Sequence, residues 1–353
     1  MMHPRPSPIA AALYTLRDLQ VDVIIMHGPA GCCFRTGRLL EDEKIRVITT
    51  AMNENDYIFG ASDKLVDTIH EVYDTFKPEK IGIVGTCVSM IIGENMKQSV
   101  QQAGVDCDII IVETHAGFSE GDNTSGAIAT LKAANEAGII PIEEVERQTL
   151  MLQKATELEK TRGMAKGEYI KPNYGDNKVK VANIILDAIK QDKKVSIVLN
   201  AKKETSYLFA DIMTIPWQDY DLKAPVYIAN TDEEIGLDYI RNHAKVVNDN
   251  VSKPINYITG GLDEYPITGT NAEEILADLD SDITVILGVP HAVDVNKIPG
   301  TTIAVTDGPR LVKPLNDMGY DYVITELDAH SKTLGCENIV ESEFAQTLRG
   351  LLE

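Results

Sequence analysis

No stretch of the 353 residues approaches the ~20 consecutive apolar side chains that a membrane-spanning helix requires. The opening segment, MMHPRPSPIAAALYTLRDL, lacks the apolar core of a signal peptide. Ser7 and Pro8 read instead as the N-cap and first position of a helix. Basic charge is scarce: 33 Lys and Arg face 54 Asp and Glu, a net of −21. A phosphate backbone needs a basic surface, so neither nucleic acid nor a membrane is an expected partner, and the acidity reads mainly as solubility. Cysteine is sparse, five in all. Five are too few for a disulfide framework in so long a chain, and the odd count leaves at least one thiol outside any pair. The expected setting is the reducing cytoplasm. Phosphate fingerprints are missing. No Gly-Lys-Ser/Thr occurs, which removes the P-loop, and no G-x-G-x-x-G turn is present; Gly28-x-x-Gly31 and Gly82-x-x-Gly85 are only tight turns. Any ATP or NAD step is expected to fall to another protein.

What is present is an ordinary globular composition, 44% hydrophobic and 25% charged, long enough for two or three cores. Short Ile/Val-rich runs alternate with helical patterns. The alternation predicts an α/β protein of two to three Rossmann-like, doubly wound parallel-sheet domains. Residues 1–163 are expected to form the first, with strands Val21–Met26, Ile45–Thr50, Lys80–Val84 and Asp108–Val112. Ser62 is expected to cap a helix that carries Leu65, Ile69, Val72 and Phe76 and stops at Pro78. A further helix is expected from Cys87 to a C-cap at Gly104. Gly163 to Lys178, polar with three glycines and a proline, reads as a linker. Residues 164–262 are expected as a second domain, with helices Val179–Lys190, Thr205–Ile215 and Asp232–Val247 between strands Val195–Leu199, Val226–Ala229 and Ile255–Thr259. Residues 263–353 are expected as a third, with strands Ile283–Leu287, Thr302–Val305 and Tyr322–Thr325 and a closing helix Ser342–Leu352.

Chemistry concentrates in Val21–Leu40: a buried strand, the Gly/Pro turn HGPAGCC, and the first turns of a helix. A second passage, IGIVG then TCVSMIIGENM, repeats that grammar and places Cys87 just after a strand. Strand-to-helix turns lie at the carboxyl edge of a parallel sheet, where ligands bind, and helix N-termini there stabilise thiolates. Each cysteine alone could be a small buried hydrophobe; two at equivalent turns suggest a shared metal site. Two ligands fall short of the four thiolates an iron–sulfur cluster usually takes, and a symmetric homodimer supplies the rest. Cys107, at the start of a strand on the opposite edge, reads as structural, and the role of Cys336 is open.

These residues resemble the nitrogenase-like family. HGPAGC at His27–Cys32 resembles that family's HGPxGC turn with its cluster cysteine, and GTCVSMIIGENM at Gly85–Met96 resembles its second ligand motif. No cysteine precedes Cys32, the chain is shorter than nitrogenase subunits, and the ligands of nitrogenase's active-site metal cluster find no match. The resemblance therefore narrows to compact, homodimeric members that reduce a nickel tetrapyrrole and close a γ-lactam ring in coenzyme F-430 biosynthesis. It implies a [4Fe-4S] cluster shared between two subunits, held by Cys32 and Cys87 with Cys33 as the alternative to Cys32. It implies nickel only as part of the substrate, and an ATP-hydrolysing reductase partner with its own cluster. Gly28 and Gly31 would permit the cluster turn and Pro29 stiffen it. Arg35 and Arg38 would meet tetrapyrrole carboxylates or the docking reductase, against the plainer reading of a solvated helix face. His115, in THAGFSEGDN, would serve as proton donor or axial nickel contact, with His291 a weaker candidate of the same kind. His27 would order the turn, and Glu120 and Asp122 would cap a helix. Other readings are a cluster-assembly scaffold, a different tetrapyrrole reductase subunit, or a binding module with structural cysteines.

Overall fold

The computed structural model describes residues 7–32, 34–114, 123–165 and 167–353. The chain divides into two units, one ending at Leu152 and the other beginning at Gln153.

The first unit is built on a four-stranded, all-parallel sheet of β1 (Val23–His27), β2 (Arg46–Thr49), β3 (Lys80–Gly85) and β4 (Asp108–Glu113), in the order β2-β1-β3-β4. Every residue of β1 is buried, as a strand covered on both faces requires. Val23, Ile25, Ile81 and Ile83 pack against Leu65, Val66, Ile69 and Val72 of helix Ser62–Phe76. Each such side chain contributes ~1.5–3 kcal/mol by leaving water. Helix Pro8–Asp18 begins as expected, with Ser7 accepting the Ala10 N–H at 3.3 Å. Two expectations change. Ser62 is the first helical residue rather than the cap, because the carboxylate of Glu94 takes both the Ala61 N–H and the Ser62 hydroxyl. The helix expected from Cys87 to Gly104 is split into Cys87–Ile91 and Met96–Ala103, since Gly93 turns to φ +75° and Asn95 caps the second piece.

The second unit carries a six-stranded parallel sheet. Its strands are β5 (Val195–Asn200), β6 (Val226–Ala229), β7 (Tyr257–Ile258), β8 (Ile283–Gly288), β9 (Thr301–Thr306) and β10 (Tyr322–Thr325), in the order β10-β9-β8-β5-β6-β7. The expected border at 262 is not a border in the sheet. β8 pairs with β5 along its whole length, Val195 opposite Ile283 through Asn200 opposite Gly288. The free edge that β6 leaves on β5 is thereby filled. Alternate residues then serve two cores: Ile197, Leu199, Val285, Leu287, Ile303 and Val305 in one, Val198, Ile286 and Ala304 in the other. The border expected at 163 also moves, into helix Ile142–Thr161, because Leu158 near its end packs against Val289 and Ala292 of the second unit. The helix expected at Thr205–Ile215 reduces to Ser206–Phe209 between 3-10 turns, and the one expected from Asp232 starts at Asp238, after Gly236 at φ +103°.

The carboxyl-terminal helix Glu343–Leu352 is fastened by two buried carboxylates: Glu326 accepts the Phe344 N–H at 2.8 Å, and Asp211 holds both ends. Asp211 accepts the Arg349 guanidinium at 2.6 Å and the Ser342 N–H at 2.6 Å. Removing it strands a cation and an orphan helix-start N–H. Asp211→Ala is therefore expected to lower the unfolding free energy by about 2–3 kcal/mol in urea titrations. A loss below about 0.5 kcal/mol would contradict this account.

Candidate functional site

In the first sheet the chain passes from β1 to β2 on one side and then to β3 and β4 on the other. The carboxyl ends of β1 and β3 therefore flank a topological switch point, where open α/β sheets bind ligands. His27 ends β1 directly beside Gly85, which ends β3. The two exits are bolted together: the His27 carbonyl accepts the Thr86 N–H at 3.2 Å and the Thr86 hydroxyl at 3.1 Å.

Gly28 follows from that contact. A Cβ at position 28 would lie 2.1 Å from Thr86 Oγ1 and 2.5 Å from its methyl carbon. Its carbonyl accepts the Met52 N–H at 2.9 Å and its N–H donates to Thr50 Oγ1 at 3.0 Å. The turn then closes with the Cys32 N–H on the Pro29 carbonyl at 3.0 Å. Gly31 differs: among the described residues a Cβ there would meet nothing within 4 Å. The turn requires glycine at 28 and tolerates a side chain at 31. The cysteine turns are less alike than the sequence suggests. Cys87 is the first residue of its helix, two residues after the end of β3, whereas Cys32 comes after a longer turn and ahead of helix Phe34–Asp42. Both side chains are partly buried.

His27 is fully buried. Its Nδ1 lies 3.2 Å from Thr50 Oγ1, and its Nε2 lies 3.5 Å from Glu94 Oε2, an ion-pair distance without hydrogen-bond geometry. Burial lowers the proton affinity of the ring, and the attraction of Glu94 does not offset it. Glu94 thus joins the His27 turn to the start of helix Ser62–Phe76. Glu94 lies within the GTCVSMIIGENM motif, and its only mark in the sequence is an acid beside the helix-capping Asn95.

Arg35 and Arg38 lie on the exposed side of helix Phe34–Asp42, and Arg38 pairs with Glu41. Phe34 and Ile91 are 68% and 63% exposed, and Ile58 and Phe59 are also exposed. All four belong to helices that follow β1, β2 or β3. Cys107 precedes β4 at the opposite edge, packs against the first unit's core, and has its thiol pushed up by burial and by Asp108 and Asp106. In the second unit, Cys336 donates to the Lys332 carbonyl at 3.3 Å, and His291 is buried on the turn Pro290–Ala292 after β8. Cys33, His115, Glu120 and Asp122 lie outside the described residues. Among the described residues, no group of three or more His, Cys, Asp or Glu side chains is arranged so that it could hold a metal ion, and no helix is long and apolar enough to cross a membrane.

Two measurements follow. Gly28→Ala is expected to cost about 1–3 kcal/mol in urea unfolding through overpacking against Thr86, and Gly31→Ala less than about 0.5 kcal/mol. Equal costs would contradict the assignment of the close approach to Gly28. The second concerns pH. The folded protein holds His27 neutral while the unfolded chain protonates it near pH 6.5. This contribution is complete above that pH and declines as the pH falls below it. Between about pH 7.5 and 5.5 the wild type should lose more unfolding free energy than His27→Gln. Identical pH slopes in the two proteins would refute the buried-neutral reading.

Residues 7–163 match the family of nitrogenase component 1 type oxidoreductases. Over 352 residues the chain is 58% identical to component CfbD of the Ni-sirohydrochlorin a,c-diamide reductive cyclase complex of Methanothermobacter thermautotrophicus, covering 99% of this chain and 98% of that protein. It is 47% identical to the component of the same name from Methanosarcina acetivorans, over 99% of this chain and 96% of that protein. The Methanocaldococcus jannaschii component is 49% identical over the full length of both. Full-length identity at this level, together with the match of the cysteine-bearing unit, places the chain: it belongs to the CfbD family, a branch of the nitrogenase component 1 type oxidoreductases.

Proposed function

We propose that this chain is the substrate-reducing component of a two-component Ni-sirohydrochlorin a,c-diamide reductive cyclase, reducing the nickel tetrapyrrole and closing its γ-lactam ring in coenzyme F-430 biosynthesis. The observation that carries the reading is the delivery of Cys32 and Cys87 by adjacent parallel strands to one switch point. It is supported by the 58% identity to a component of the complex so named. Thiolates are the donors that iron–sulfur clusters take, usually four. One chain offers Cys32 and Cys87, with Cys33 the alternative to Cys32, so a second copy across a two-fold axis completes the set. The exposed Phe34 and Ile91, on the helices that leave the cysteine turns, suit coverage by that copy.

A [4Fe-4S] cluster bound there supplies single-electron relay between a separate ATP-hydrolysing iron–sulfur reductase and the substrate. The residues of the chain position and shield. Gly28 and Pro29 hold the Cys32 turn against Thr86, and among the described residues nothing crowds Gly31. His27, kept neutral, adds no charge beneath the turn. Arg35 and Arg38 offer guanidinium forks to the carboxylates of the macrocycle or to the reductase. The exposed Arg38–Glu41 pair is worth little in water and exchanges readily. His115 is the proposed proton donor, histidine being the common side chain for proton transfer near neutral pH. Nickel arrives within the substrate, and the setting is the cytoplasm.

The test is iron and sulfide content after anaerobic purification. Wild type is expected to carry about four irons per dimer, lost in Cys32→Ala and Cys87→Ala and kept in Cys33→Ala. A wild-type dimer without iron, or one that keeps it through both of the first two substitutions, would overturn the reading.

A further inference from the structure

The second sheet has a switch point of its own, between β5 and β8. The residues beyond those strand ends are held rigidly. The Val289 N–H donates to the Asn200 carbonyl at 2.8 Å, Asn200 Nδ2 donates to the Tyr265 carbonyl at 3.1 Å, and the Tyr320 hydroxyl donates to the Pro290 carbonyl at 2.9 Å. His291 is thereby fixed on its turn at 2% exposure. Among the described residues neither of its ring nitrogens has a hydrogen-bond partner, and Nε2 lies 3.4 Å from Glu159 Oε1. The same carboxylate oxygen lies 3.2 Å from Lys202 Nζ. The Lys202 ammonium stands 5.0 Å from the centre of the Tyr265 ring. Unlike His291, the Lys202 and Glu159 side chains remain reachable from solvent, 29% and 24% exposed.

Both members of the pair keep their charge. Burial raises the Glu159 carboxyl, but His291 and Lys202 outweigh it and hold the group well below the usual carboxylate range. Burial likewise disfavours the Lys202 ammonium, and Tyr265, Glu159 and Asp307 together keep it protonated. The result is a fixed cation and a fixed anion side by side. Among the described residues Glu159 Oε2 is engaged only by the Met164 N–H at 3.4 Å, and the ammonium has three donors of which Glu159 takes one.

We propose that Lys202 and Glu159 recognise a primary carboxamide arm of the tetrapyrrole, with His291 as the residue that positions Glu159; this rests on the substrate class proposed above. A carboxamide is neutral and presents an acceptor and a donor together. Its carbonyl accepts from Lys202 Nζ, and its N–H donates to Glu159 Oε2. A carboxylate offers no donor to Glu159 and brings negative charge next to Glu159 and Asp307. The site therefore separates an amidated substrate from its acid precursor.

The experiment titrates the full-length protein with Ni-sirohydrochlorin a,c-diamide and with Ni-sirohydrochlorin, whose arms are all acids, following the visible absorption of the macrocycle. Wild type is expected to bind the diamide about 10- to 100-fold more tightly, the consequence of leaving a desolvated polar group unpaired with the acid. Glu159→Gln should bring the ratio towards one by improving binding of the acid. Lys202→Met should weaken the diamide. His291→Phe should lower the ratio although His291 itself does not touch the arm. The ratio is insensitive to a partly unfolded sample, and the isosteric Glu159→Gln carries the comparison if His291→Phe fails to fold. A wild-type ratio near one, or a ratio that Glu159→Gln leaves unchanged, overturns the amide site while tetrapyrrole binding stands. A wild type that binds neither compound overturns the substrate assignment and this inference with it.

Discussion

The close approach of Gly28 to Thr86 is the constraint from which the rest of the cysteine site follows. A single carbonyl, that of His27, takes two donors from Thr86, and the space beside it admits no side chain at residue 28. The turn after β1 cannot shift without dragging the turn after β3. Cys32 and Cys87 are thus referenced to the backbone ladder of two paired strands, which is stiffer than any loop. On the proposed reading, a site that must hold thiols gains from turns anchored to paired strands in this way. The cost is a buried imidazole and a buried carboxylate beneath the turn, and the structure meets it by leaving His27 neutral and giving Glu94 two helix-start donors.

The two sheets use one topological device with different chemistry. In each, the first strand has neighbours reached in opposite directions, and polar or reactive side chains collect where the directions part. The first switch point carries sulfur on glycine-rich turns; the second carries a lysine–glutamate pair backed by a histidine. The difference matches the kinds of work each can do. Thiols bind soft metal centres, while a fixed cation and anion side by side read hydrogen-bond polarity.

Strand cores were legible because they are buried on both faces and so read as unbroken Ile/Val runs; Tyr322–Thr325 matches residue for residue. Strand ends were less so: β1 and β3 each continue by a residue, to His27 and Gly85, because pairing at the carboxyl edge continues into the turns. The number of sheets was not legible. Whether β8 starts a new sheet or fills the open edge of β5 depends on pairing between residues far apart in the chain, Val195 opposite Ile283, and local periodicity carries no trace of it. The cysteine turns stood out through motif and glycine pattern. The partners of His27 and His291 did not, since Glu94 and Glu159 reach them only through the fold.

The net charge of −21 bears on how such a molecule could take a tetrapyrrole with many carboxylate arms. At physiological ionic strength exposed charges are screened within ~8 Å, so the overall field matters less than the groups at the contact. Each unit taken by itself, the proposed contact groups are Arg35 and Arg38 in the first, for macrocycle carboxylates or the reductase, and Lys202 in the second, for an amide arm. Arg38 and Lys202 are each paired with a glutamate. A paired cation attracts an anion weakly but still donates hydrogen bonds. An acidic protein that recognises its ligand through such pairs selects by the pattern of donors and acceptors rather than by total charge, and a ligand with two arms converted to neutral amides suits that mode better than the fully ionised precursor.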